Sequence, residues 1–121
     1  MTQNQGVPII ASEIVLDHDQ FRAITLDDEE LMREIMAALI ADTSEQIANL
    51  KDAIDAGDRE QIKRIAHYSK GACANVGAKA AASILQRVEQ MAAQGNFAEC
   101  GVSLAALALQ VDRLRTEVVA I

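Results

Sequence analysis

The sequence predicts an all-α fold, an antiparallel up-down-up-down four-helix bundle with a short additional N-terminal helix. Three observations predict it. Alanine and other strong helix formers dominate, and Pro8 is the only proline. Apolar residues recur at spacings of three and four through successive segments, with no strand-like alternation. Capping patterns and glycines bound these segments closely, so the connections are tight and consecutive helices should be antiparallel neighbours.

At 121 residues the chain is one domain by length, with enough material for a single core. Residues 1–12 carry Gln, Asn, Gly and Pro and read as a flexible lead-in, from which Ile9 and Ile10 could dock on the body. Residues 13–121 form the bundle domain.

Asp17, with Gln20 three residues on, forms a capping box for a short first helix that ends near Thr25. Asp27 and Glu30 repeat the pattern and open a long helix. Its apolar stripe is Met32, Ile35, Met36, Leu39, Ile40, Thr43, Ile47, Leu50 and Ile54. The stripe stops at Gly57, a typical C′ glycine. Asp58 and Gln61 then cap a third segment over about 58–77. Gly77 marks a break before a fourth helix striped by Ile84, Leu85, Val88 and Met91, which ends at Gly95. Asn96 and Glu99 cap the last helix, whose stripe is read as Val102, Ala105, Ala106, Leu109, Val111, Leu114 and Val118.

Composition also excludes function classes. A formal net charge of −7 argues against nucleic acid as a general partner, because phosphate backbones draw on clustered Lys and Arg. No apolar run approaches the roughly 18 residues of a membrane span. Met1 to Ala11 lack the charged and apolar regions of a signal peptide, so the expected location is the cytoplasm. Cys73 and Cys100 make no Cys-x-x-Cys pair and are expected to be reduced core residues. His18 and His67 are the only histidines, and neither sits in a metal-binding spacing. No resident metal or cofactor is expected. His18 reads as a surface residue at the start of the first helix.

The chemistry-bearing segment is Ala66-His67-Tyr68-Ser69-Lys70-Gly71-Ala72-Cys73-Ala74-Asn75-Val76-Gly77-Ala78. With each helical residue advancing about 100°, Ile62, Ile65, Ala66, Cys73 and Val76 fall roughly 160° to 260° from His67. The imidazole should therefore face solvent. Its own side of the helix carries Glu60, Lys63, Arg64, Lys70, Gly71, Ala74 and Ala78. Cations and residues with little or no side chain thus border the ring. An exposed mid-helix glycine is about 1 kcal/mol less favourable than alanine, so Gly71 calls for a reason. Close approach of another backbone beside His67 would supply one.

This stretch resembles the signature of the histidine-containing phosphotransfer (Hpt) domain of bacterial phosphorelays. That pattern reads approximately Ala-His-x-Leu-Lys-Gly-Ser/Ala, followed by a Gly-Ala pair. Ala66, His67, Lys70, Gly71, Ala72, Gly77 and Ala78 match it, and Ser69 replaces the usual apolar residue, which should loosen local packing. Ala56-Gly57-Asp58 ahead of the histidine is similar too, and the resemblance spans about residues 14 to 118.

The resemblance implies a phosphoryl carrier without autonomous kinase activity. His67 would accept the group on Nε2 from a receiver-domain aspartyl phosphate and pass it to another receiver. An ordinary imidazole, with a pKa of about 6.5, is mostly neutral at cytoplasmic pH, as nucleophilic attack requires. Lys70 would stabilise phosphoryl charge, and Gly71 would leave room for receiver loops. Lys63, Arg64, Ala74 and Ala78 would belong to the partner-binding surface. Mg²⁺ is expected on the partner receiver, which would belong to a response regulator or a hybrid histidine kinase. A monomer fits the family.

Phe21, Ile24, Leu31 and Met32 are further candidates for apolar partner contacts, with bundle core as the competing reading. Two alternative functions are a non-catalytic helical adaptor and the dimerisation-type histidine domain of a sensor kinase. The second is disfavoured because Tyr68 follows His67, no proline comes after it, and there is no room for an ATP-binding domain.

Overall fold

The computed structural model describes residues 14–119. Five helices follow in order: α1 (His18–Ile24), α2 (Glu29–Asp55), α3 (Arg59–Val76), α4 (Lys79–Ala93) and α5 (Phe97–Val119). α2 to α5 close into a ring in which α2 and α4 each pack on both α3 and α5. The shorter α1 lies against α3. The chain is thus all-helical, a four-helix bundle with an added N-terminal helix, as predicted. The lead-in of residues 1–12, with Ile9 and Ile10, lies outside the described residues.

The caps explain where the helices start. The side-chain oxygen of Asp17 accepts the Gln20 N–H at 3.1 Å, that of Asp58 the Gln61 N–H at 3.2 Å, and that of Asn96 the Glu99 N–H at 3.1 Å. The start of α2 corrects the sequence expectation by one residue. Asp28, not Asp27, is its cap and accepts from the N–H groups of Glu30 and Leu31. Leu26 and Asp27 instead take left-handed backbone with φ of 55° and 61°. They use the turn between α1 and α2, which leaves the capping role to the next aspartate.

α4 has no side-chain cap, since Ala78 stands at that position. The carbonyl of Ile14 takes over the task by accepting the Ala80 N–H at 2.8 Å. The segment before α1 is therefore part of how α4 begins.

The interior is mainly aliphatic around one aromatic ring, with Phe21, Met36, Leu50, Ile62, Leu85, Leu107 and Leu114 fully buried. Of the four candidates for partner contacts, Phe21 and Met32 take the competing reading as core, which leaves Ile24 and Leu31 as the accessible ones. The expected stripe of the last helix fails. In α5, Val102 is 63% and Leu109 49% exposed, whereas Leu104 and Leu107 face the core. The first part of that helix, from Phe97 to Val111, is apolar nearly all round, so its sequence alone defines the inner face poorly there.

Cys73 and Cys100 are free and buried, as predicted. Burial pushes the Cys73 thiol up to about 11, against a smaller opposing effect of its contact with Thr43. No helix among the described residues is long and apolar enough to cross a membrane.

Candidate functional site

α3 is a two-sided helix. Ile62, Ile65, Ala66, Ser69, Cys73 and Val76 are buried on one side. His67 stands on the other, with 70% of its side chain exposed. The outward projection predicted from periodicity is what the structure has. Gly71 and Ala74 follow it on the exposed side. A Cβ placed on Gly71 would meet nothing within 4 Å, so no internal contact requires a glycine there.

Ala78 does not share this face. It lies beyond the left-handed Gly77, which ends α3 with φ of 93°, and it is fully buried at the start of α4. The helical projection failed because the helix had already stopped. Lys63 and Arg64 do lie on the open side, Lys63 within 3.8 Å of Glu60 and Arg64 hydrogen-bonded to Gln61.

The group that sequence reasoning missed is Glu89, on α4. One of its oxygens lies 3.2 Å from Nδ1 of His67, and the other accepts from the ammonium of Lys70 at 2.8 Å. Lys70 also donates to Gln86 at 3.2 Å. Partial burial pushes the Glu89 carboxyl up. The hydrogen bond and charge of Lys70, with a smaller contribution from His67, outweigh it and hold the carboxyl below its ordinary value. Glu89 is therefore an anion shared between the imidazole and the ammonium.

The pairs His67–Glu89 and Lys70–Gln86 each straddle Ala78 symmetrically along the chain. This is the register of an antiparallel hairpin pivoting at Gly77 and Ala78. That symmetry was the one sequence signal capable of locating Glu89.

A shallow groove of about 500 Å³ lies between α3 and α4, starting one turn beyond His67. Lys70, Gly71 and Ala74 line it from α3, and Ala82, Ser83 and Gln86 from α4. Tyr68, next to the histidine, donates its hydroxyl to Asp42 of α2 at 3.1 Å, and that carboxylate raises the phenol above its ordinary value. The second histidine, His18, lies elsewhere and pairs with Glu117 at 2.6 Å. No cluster of His, Cys, Asp or Glu able to hold a metal occurs among the described residues.

The Hpt domain family matches residues 34–117, which contain every residue of this site. The chain belongs to the Hpt family. Hpt domains work in phosphorelays by histidine phosphotransfer, typically as phosphoryl carriers, and their partners are receiver domains. The architecture of this Hpt chain is similar to two solved structures. One is histidine-containing phosphotransfer protein B from Pseudomonas aeruginosa PAO1, with a TM-score of 0.80 and 21% identity over 88% of this chain and 93% of that one. The other is a putative histidine-containing phosphotransfer protein from rice, with a TM-score of 0.78 and 17% identity over 88% and 78%. No curated protein matches this Hpt sequence.

Proposed function

We propose that His67 is the phosphoacceptor of this Hpt domain. It takes a phosphoryl group on Nε2 from the aspartyl phosphate of one receiver domain and delivers it to the aspartate of another. The observation that carries this reading is the ring's position: 70% exposed on α3, beside the unfilled space at Gly71. His18, the other histidine, is engaged with Glu117.

The roles of the neighbours follow from their placement. The ammonium of Lys70 has three N–H donors, and Glu89 and Gln86 occupy two, leaving one for a phosphoryl oxygen. Gly71 and Ala74 admit the receiver's loops, and Lys63 and Arg64 extend the contact along α3. The receiver supplies the acidic pocket and Mg²⁺ that make phosphoryl transfer fast. The protein acts as a monomer in the cytoplasm and has no kinase activity of its own.

The test is incubation of the purified protein with a ³²P-labelled receiver. Label should move to the wild type, and His67→Gln should take up none. Transfer to His67→Gln would place the acceptor at another residue, and a wild type that takes no label while its signalling output survives His67→Gln would favour the non-catalytic adaptor. Label taken directly from ATP, without any kinase, would favour the sensor-kinase alternative.

A further inference from the structure

The groove between α3 and α4 has a floor of small residues. Gly71 and Ala74 contribute from α3 and Ala82 from α4, with Lys70 and Gln86 at the end nearer His67. None of its lining residues is acidic, although the chain carries a net charge of −7. An uncharged, weakly polar segment is the occupant this surface fits, because burial of apolar area is what it offers.

The chain enters the body at the foot of this groove. Leu16 is buried, and the Asp17 N–H donates to the Gly77 carbonyl at 2.8 Å. The Ile14 carbonyl accepts the Ala80 N–H at 2.8 Å, and Lys79 pairs with Asp17 at 3.4 Å. Ile14 is thereby pinned to the first turn of α4. Ala82 and Gln86 lie only about 3 and 9 Å beyond Ala80 along that helix.

Ahead of Ile14 the sequence reads Val7-Pro8-Ile9-Ile10-Ala11-Ser12-Glu13. A chain spans at most about 3.6 Å per residue, so Ile10 reaches about 14 Å from Ile14 and Ile9 about 18 Å. Both distances cover the groove. No side chain from Met1 to Ser12 is charged, whereas 24% of the chain's residues are. The other apolar groove, lined by Ile47, Ile54 and Leu104, opens between α2 and α5 on the opposite side of the ring of helices. Lys51 and Asp55 line it as well, and the chain must pass around a whole helix to enter it.

We infer that residues 7–10 of the same chain lie in the groove between α3 and α4, with Ile9 and Ile10 against Ala74 and Ala82, and that a docking receiver must displace them. The effect on transfer rests on His67 being the phosphoacceptor; the docking does not. Gly71 and Ala74 serve both the segment and the receiver's loops, so the two compete. The receiver's apparent affinity is then reduced to the fraction of molecules whose groove is open. The phosphoryl chemistry is untouched, because the segment acts on encounter alone.

The experiment places a nitroxide on the full chain through Gln5→Cys. Cys73 and Cys100 are buried and stay unlabelled in the folded protein. Amide signals of Gly71, Ala74, Ser83 and Gln86 should broaden selectively, and Ile9→Ser with Ile10→Ser should restore them. The same double substitution should lower the receiver concentration for half-maximal transfer about fivefold, as for a groove covered about four-fifths of the time, with the saturating rate unchanged. Broadening at Ile54 and Leu104 instead, or at no defined site, would overturn the docking. So would equal broadening in ¹⁵N-labelled protein mixed with a separate spin-labelled copy, which would make the occupant a second molecule. An unchanged half-maximal concentration in the folded double variant would overturn the competition. Failure of the wild type to take label from any receiver would instead sink the phosphoacceptor assignment and leave the docking standing.

Discussion

The backbone N–H of Asp17 donates to the carbonyl of Gly77 at 2.8 Å, tying the entry of α1 to the pivot between α3 and α4. The same approach would crowd a side chain at Gly77. A Cβ there would stand 3.1 Å from the Asp17 carbonyl oxygen and 3.3 Å from its Cβ. Gly77 also takes φ of 93°, which L-residues avoid. Gly77→Ala should therefore destabilise the protein by about 1–3 kcal/mol. A fall in the urea midpoint relative to wild type is the measurement.

Gly71 is the opposite case. It is helical, exposed and open, so Gly71→Ala should stabilise the fold by about 0.5–1 kcal/mol. Gly71→Gln should leave thermal unfolding intact while slowing phosphoryl transfer, because its longer side chain occupies the space beside the ring. An unchanged transfer rate would remove the steric role.

Ser69 brings a hydroxyl into the inner face of α3. The residue is buried, and its Oγ has no hydrogen-bond partner. Ser69→Ala should raise stability by about 1 kcal/mol, since it deletes a desolvated polar atom and improves helix propensity. Chemical denaturation of the two proteins decides this.

Acid should act on the α3–α4 contact through Glu89. Its carboxyl lies below the ordinary value in the folded chain, so its contribution to stability is present above the unfolded value of about 4.3. That contribution is lost as pH falls through the lower, folded value. Wild type should consequently lose more thermal stability than Glu89→Gln between about pH 5 and pH 3. Parallel melting curves across that range would contradict the coupling.

The thiols should be inert while the protein is folded. Cys73 is pushed up to about 11 by burial, and burial also raises Cys100. At neutral pH a thiol reagent should label neither until denaturant is added. Mass spectrometry before and after unfolding provides the readout.

Local chemistry made much of this molecule readable from its residues. Asp17, Asp58 and Asn96 cap through their own side chains, and Gly77 breaks the chain where no other residue type sits easily. The face of His67 could be computed because α3 has a strongly polar side. α5 lacks such contrast, which is why Val102 and Leu109 were assigned inward when they lie outward. Ala78 was misplaced because a rotation rule was carried past the end of a helix. Glu89 needed more than periodicity. Its role depends on how α4 registers against α3, and that is settled by packing across the hairpin.

Both polar pairs of the reactive corner belong to one helix–turn–helix unit, and this divides the labour of the molecule. α2 packs on the inner side of α3 and α5 lies across the bundle, and beyond the Asp42 anchor for Tyr68 neither has a side-chain hydrogen bond to the polar residues around the imidazole. Their inner positions answer mainly to volume, and their outer positions answer to whatever binds there. Substitutions on those outer surfaces should leave the His67–Glu89 and Lys70–Gln86 pairs as they are.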